Sequence, residues 1–191
     1  ESGVFDKIII STDFPEILSY EWTSPVEVWR RPDFLAMSDI HATHVVHQVL
    51  DQLVTRGLEF DFVFMLLPTS PFRTVSQIRA SAELLRSGSS SVVAVAETGK
   101  RSNQLRYMDP YSMLPRKVTT DDVHVQRQTQ DFVWAVSGSI FASTTQSFVN
   151  SRSFHTVDAI GLPVEPPTGL DIDTENDWNK AAAIAKQLEE F

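Results

Sequence analysis

Short apolar runs alternate with amphipathic stretches along this chain. Lys7-Ile8-Ile9-Ile10-Ser11 is β-branched and closed by the polar Ser11-Thr12-Asp13, which predicts a buried strand, and Pro15 then opens a helix. Val26-Glu27-Val28-Trp29 predicts a second strand. From Asp39 to Leu53 the apolar residues Ile40, Val45, Val46, Val49, Leu50 and Leu53 recur at helical spacing. The run from Phe60 to Leu67 is almost unbroken in apolar residues, as expected of a central strand of a parallel sheet covered on both faces. Thr74 and Gln77 then predict a capping box and a helix to about Arg86, followed by a strand over Ser91–Ala96.

Between about Glu97 and Asp131 the pattern breaks, with Gly99, Asn103, Asp109, Pro110 and Pro115 interrupting any long element. Such an excursion suits a binding flap or an oligomer arm. Strands resume over Phe132–Ala142 and Ala159–Val164, and an alanine-rich helix closes the chain. Strand and helix in alternation predict an α/β fold, a three-layer sandwich with a mostly parallel sheet. At 191 residues the chain is expected to be a single domain, residues 1–191, with the excursion at about 100–130 as its appendage.

Composition narrows the chemistry. A formal charge of −9 and a pI near 4.9 exclude nonspecific nucleic-acid binding, which needs a basic face. The absence of cysteine removes disulfides, thiolate catalysis and cysteine-ligated zinc. No apolar run reaches membrane-spanning length and no secretory signal opens the chain, so a soluble, cytoplasmic protein with no membrane partner is expected.

The densest chemistry lies in Gly169-Leu170-Asp171-Ile172-Asp173-Thr174-Glu175-Asn176-Asp177-Trp178. In an extended segment Asp171 and Asp173 point to one face, and two converging carboxylates repel unless a cation lies between them. Mg²⁺ needs only one or two protein carboxylates when substrate phosphates complete its shell. The same spacing also fits an acidic strand end before a helix capped by Thr174 and Asp177. Pro68-Thr69-Ser70-Pro71-Phe72-Arg73 follows the most apolar strand, where an open parallel sheet offers its carboxyl edge to ligands. Its hydroxyls suit a ribose, base or phosphate and Arg73 adds fixed positive charge; the alternative is a stiff strand-to-helix connection. Arg30-Arg31-Pro32 and Arg127 are further candidate anion contacts. His41, His44 and His47 diverge by about 120° across the outer pair on a helix and cannot share one ion. No glycine-rich phosphate loop occurs, since the seven glycines are scattered.

In order along the chain, several strings resemble the acylneuraminate cytidylyltransferases, the CMP-N-acetylneuraminic acid synthetase family. They are Ile9-Ile10-Ser11-Thr12-Asp13, Arg31-Pro32 with Leu35-Ala36, Leu66-Leu67-Pro68-Thr69-Ser70-Pro71-Phe72-Arg73, Arg127-Gln128, Ser137-Gly138-Ser139-Ile140-Phe141, and Asp171-Ile172-Asp173-Thr174 with Asp177. The resemblance implies a nucleotide-diphospho-sugar transferase-like fold. It implies transfer of CMP from CTP to the anomeric hydroxyl of a sialic acid-like 2-keto sugar acid, with release of pyrophosphate. Asp171 and Asp173 would hold Mg²⁺ as the catalytic pair. Arg31, Thr69, Ser70 and Arg73 would contact the nucleotide, and Arg127, Gln128, Ser137 and Phe141 the sugar acid. A homodimer joined by the 100–130 arm is also implied.

Against that family pattern the strand and basic glycine loop that grip the triphosphate lie before Glu1, so the resemblance predicts an N-terminally truncated chain with impaired turnover. The alternative is a non-catalytic nucleotide-binding or dimerisation module derived from the same family. Leu67, Ser137 and Phe141 depart from the family strings at acceptor-facing and base-facing positions, which leaves the choice of sugar acid open, including an eight-carbon one.

Overall fold

A computed structural model of the chain describes residues 2–23, 25–101, 106–108, 115–117 and 132–189. Two compact units are interleaved along the sequence. The first comprises residues 1–67, 73–93 and 140–162, the second residues 68–72, 94–139 and 163–191.

The first unit opens with β1 (Ile8–Thr12), α1 (Pro15–Leu18) and β2 (Val26–Arg30). β1 and β2 form a parallel pair in which Ile8 faces Val26 and Thr12 faces Arg30. A 3-10 turn, Asp33–Leu35, leads to α2 (Ala42–Thr55). This helix starts later than the apolar periodicity suggests because Ile40 is drawn into a turn on Met37, and His41 becomes the N-cap, its ring accepting from the Thr43 amide. β3 (Phe62–Met65) follows, then α3 (Val75–Arg86), whose capping box forms as expected: Thr74 Oγ1 accepts from the Gln77 amide at 3.3 Å and Gln77 Oε1 from the Thr74 amide at 2.9 Å.

β4 (Ser91–Arg101), β7 (Phe132–Thr144) and β8 (Ile160–Val164) complete a four-stranded sheet in the order β3-β7-β4-β8. β3 pairs with β7 antiparallel, Phe62 opposite Thr144 and Met65 opposite Phe141. The Thr144 amide bonds Ser90, and Thr98 Oγ1 bonds Val133 at the other end of the ladder, so β4 too runs against β7. β3 and β4 thus run the same way on either side of one reversed strand. The apolar run over Phe60–Leu67 predicts a central, doubly covered strand. The structure instead gives four paired residues, all half-buried, at one end of the sheet order. Phe60 and Leu67 lie outside the strand yet pack on the core, which is why the apolar run is longer than the pairing.

The core of this unit gathers Leu50 and Leu53 of α2, Val93 of β4, Phe141 of β7, Phe148 of α4 (Thr145–Ser151) and Phe154. Phe148 and Phe154 are buried, with ring centroids 4.6 Å apart. Burying each such ring contributes about 1.5–3 kcal/mol. His47 of α2 lies against Phe148 at 5.5 Å, so its place is in packing. Buried Ser91 donates to the Phe154 and Ala142 carbonyls, satisfying a hydroxyl that would otherwise cost stability.

In the second unit, residues expected to be irregular include a short antiparallel pair, β5 (Arg106–Met108) with β6 (Pro115–Lys117), and β4 runs on to Arg101. Most of the 100–130 arm lies outside the described residues. The unit ends in α5 (Glu175–Glu189). Among the described residues, no helix is long and apolar enough to cross a membrane.

Candidate functional site

Within the second unit, two strings far apart in sequence meet. The loop Pro68–Phe72 lies beside the acidic segment, where the Ile172 amide donates to the Thr69 carbonyl at 2.9 Å. Ser70 Oγ donates to Asp171 Oδ1 at 3.2 Å, across 101 residues of sequence. Ser70 is fully buried, so its hydroxyl is committed to that carboxylate. The proline-flanked loop presents it without local freedom, since proline fixes φ on either side of the hydroxyl pair.

β7 supplies the third side. Gly138 adopts a left-handed conformation, φ +74°, inside the strand. A Cβ placed on Gly138 would lie 2.5 Å from Asp171 Oδ2, 3.1 Å from its Cγ and 3.4 Å from Ser70 Oγ. Only a glycine fits there, on both conformational and steric grounds. Its neighbours Ser137 and Ser139 are buried and hydrogen-bonded to each other at 2.8 Å.

Asp171 is therefore half-buried and anchored, while Asp173 is exposed. The helix that follows is capped as the sequence predicts. Thr174 Oγ1 accepts from the Asp177 amide, Asp177 Oδ2 accepts from the Thr174 amide and hydroxyl, and Lys180 Nζ reaches Asp177 Oδ1 at 3.0 Å. The Thr174 hydroxyl, with help from Lys180, holds the Asp177 carboxyl below its ordinary value. Asp177 thus serves the helix.

Among the described residues no group of three or more histidine or acidic side chains is placed to hold a metal ion. The cradle at Asp171 fits a different kind of site: one anchored carboxylate, packed where Gly138 leaves room for it, and a second carboxylate two residues on. That donor set suits a hard divalent cation sharing its shell with phosphate oxygens.

A cleft of about 770 Å³ adjoins this segment through Gly169 and Leu170. Trp134, Val164, Pro167 and Ile184 form apolar walls, with Glu165 and Lys180 at its margin.

The remaining expected contacts belong to the first unit or lie outside the described residues. Arg31 belongs to the first unit, where Nη2 donates to the Ser11 carbonyl at 2.6 Å; its Nε is buried and has no hydrogen-bond partner among the described residues. Arg73, in the same unit, donates to the Leu67 carbonyl and so closes the loop between them. Phe141 is only 8% exposed and packs against Phe154 and His155, giving its ring to the core. Arg127 and Gln128 lie outside the described residues. Gly138 was not among the expected site residues; the signal for it was a lone glycine inside an apolar strand.

No model of a known protein family matches the chain. It is 26% identical over 194 aligned positions to the CMP-N,N'-diacetyllegionaminic acid synthase of Legionella pneumophila, covering 100% of this chain and 81% of that protein. Among solved structures it is similar to the 4-diphosphocytidyl-2C-methyl-D-erythritol synthase of Anaerococcus prevotii, with a TM-score of 0.54 and 12% identity over 87% of this chain and 73% of that one. The likeness shows the fold: an α/β fold similar to that of the Anaerococcus synthase, in keeping with the α/β class that the sequence predicts.

Proposed function

We propose that this chain is a cytidylyltransferase that transfers CMP from CTP to a nine-carbon or related 2-keto sugar acid. A cytidylyltransferase activity in general is supported by the whole-chain likeness to the Legionella synthase. The sugar-acid acceptor rests on that relative's name and on the strings that resemble the acylneuraminate cytidylyltransferases. The observation that carries the proposal is the meeting of the Pro68–Phe72 loop with Asp171 through Ser70 and Thr69. Two strings that matter to nucleotide transfer converge on one carboxylate.

The acceptor's anomeric oxygen attacks the α-phosphorus in line. A new P–O bond forms, the bond to the β-phosphate oxygen breaks, pyrophosphate leaves, and the hydroxyl proton passes to solvent. Little covalent work falls to the protein, so rate comes from positioning and charge neutralisation. Asp171 and Asp173 would hold the Mg²⁺, which when bound neutralises charge on the phosphates. Thr69 and the loop around it orient the nucleotide, and Arg31 is assigned to the nucleotide by resemblance. The apolar cleft beside Leu170 suits acetyl groups such as those in the name of the Legionella enzyme's product. Arg127, Gln128 and Ser137 are assigned to the acceptor by resemblance. A cytoplasmic homodimer joined through the 100–130 segment belongs to the same proposal, and sedimentation equilibrium checks its mass.

The test is pyrophosphate release from CTP with Mg²⁺ and a panel of nonulosonic acids. Asp171→Asn and Asp173→Asn are each expected to lower kcat about 100-fold, as loss of one charge-stabilising group does. Full turnover in both variants would remove the acidic pair from the reaction.

A further inference from the structure

We infer that Ser70 and Gly138 are positioning residues that fix the Asp171 carboxylate for its cation, and that Ser70 acts on the nucleotide only through that carboxylate. The inference rests on the proposed role of Asp171 as a cation ligand. Ser70 is fully buried, so a hydroxyl expected from its loop to touch ribose or phosphate has no path to them. Its proton goes to Asp171 Oδ1 at 3.2 Å.

Gly138 works from the opposite side. Its missing Cβ would stand 2.5 Å from Oδ2, closer than side-chain atoms pack, and both of the nearest atoms belong to the Asp171 carboxylate. A short side chain with two torsions can escape such a contact only by turning away from its present direction. With glycine there, Oδ2 rests against the backbone of β7 while Oδ1 is tied to Ser70. The Thr69 carbonyl, bonded to the Ile172 amide, holds the adjacent backbone. One carboxylate orientation remains, set before any ligand arrives.

Preorganisation of this kind affects cation affinity more than stability. Hydrogen-bond partners of metal ligands typically change affinity by about 10–100-fold. Mg²⁺ does not favour bidentate carboxylates, and Oδ1, which accepts one hydrogen bond from Ser70, keeps a second lone pair for the ion.

The experiment is a double-mutant cycle on the affinity for the Mn²⁺–CTP complex, read from water-proton relaxation enhancement. Thermal unfolding of each variant serves as the control on folding. Ser70→Ala and Gly138→Ala are each expected to weaken binding about tenfold. In an Asp171→Asn background, neither should weaken it further, because interacting residues are not additive. Ser70→Ala adds no volume and carries the test even if Gly138→Ala fails to fold. Two results overturn the inference alone: unchanged affinity in Ser70→Ala, or the same loss from Ser70→Ala with and without the Asp171 carboxylate, which would mean direct contact or a general structural effect. Unchanged affinity in Asp171→Asn would overturn the cation role itself, and the inference with it.

Discussion

Asp171 and Gly138 differ in how far their roles can be read from the chain. The acidic pair is proposed from the chain alone, because alternate side chains of an extended segment point to one face; the structure adds that Asp171 is half-buried and anchored while Asp173 is exposed. Gly138 is not legible in the chain, since its importance comes from an aspartate more than thirty residues away that fills the space of its missing Cβ. Phe141 shows the converse failure. Its place in a family string implies an acceptor contact, yet its ring lies in the core. A left-handed residue at Gly138 interrupts the alternation of faces along β7, so the direction of Phe141 does not follow from counting positions past Ser137. Core residues themselves make simple expectations. Phe148 is fully buried against Phe154 and His47, and Phe148→Ala is expected to cost about 3–5 kcal/mol by denaturant unfolding. A loss below about 1 kcal/mol would mean that the ring is not part of the core.

Helix starts were the most legible elements. Thr74 with Gln77 and Thr174 with Asp177 each form the reciprocal pair their spacing predicts. α2 began later than its apolar stripe because periodicity reports a face and says nothing about the first turn. Strand partners were less legible still: the apolar run ending in Leu67 predicts burial, and no local pattern says that its neighbour will be β7 and antiparallel. The short α4 carries too few residues for a periodic signal. The cap of α5 has a pH signature. The Thr174 hydroxyl, then Lys180, holds the Asp177 carboxyl below its unfolded value. A depressed carboxylate contributes stability that is complete above the unfolded pKa and is lost as pH falls through the folded one. Helicity measured by circular dichroism is therefore expected to fall as pH drops below about 4. Asp177→Asn should flatten that part of the profile. An identical acid profile in the variant would remove Asp177 from the cap's energetics.

At the scale of the whole molecule, the alternation of strands and helices was sufficient for the α/β class, and the order of short strings pointed to cytidylyl transfer. Neither revealed that the chain forms two interleaved compact units, because three of their boundaries fall within β4, β7 and β8 and the others in the short loop after β3. The net charge of −9 gives a triphosphate no long-range attraction, so the proposed nucleotide binding calls for local cations and a metal ion. The central claim is that this acidic α/β chain couples CMP to a sugar acid. The most direct measurement is mass-spectrometric identification of the product after prolonged incubation of the purified protein with CTP, Mg²⁺ and N,N'-diacetyllegionaminic or N-acetylneuraminic acid, so that slow turnover still registers. The account predicts a CMP-linked sugar acid and pyrophosphate, with Asp171→Asn forming far less of both. CTP binding without any nucleotide-linked product from either acid would contradict it and favour a non-catalytic nucleotide-binding module.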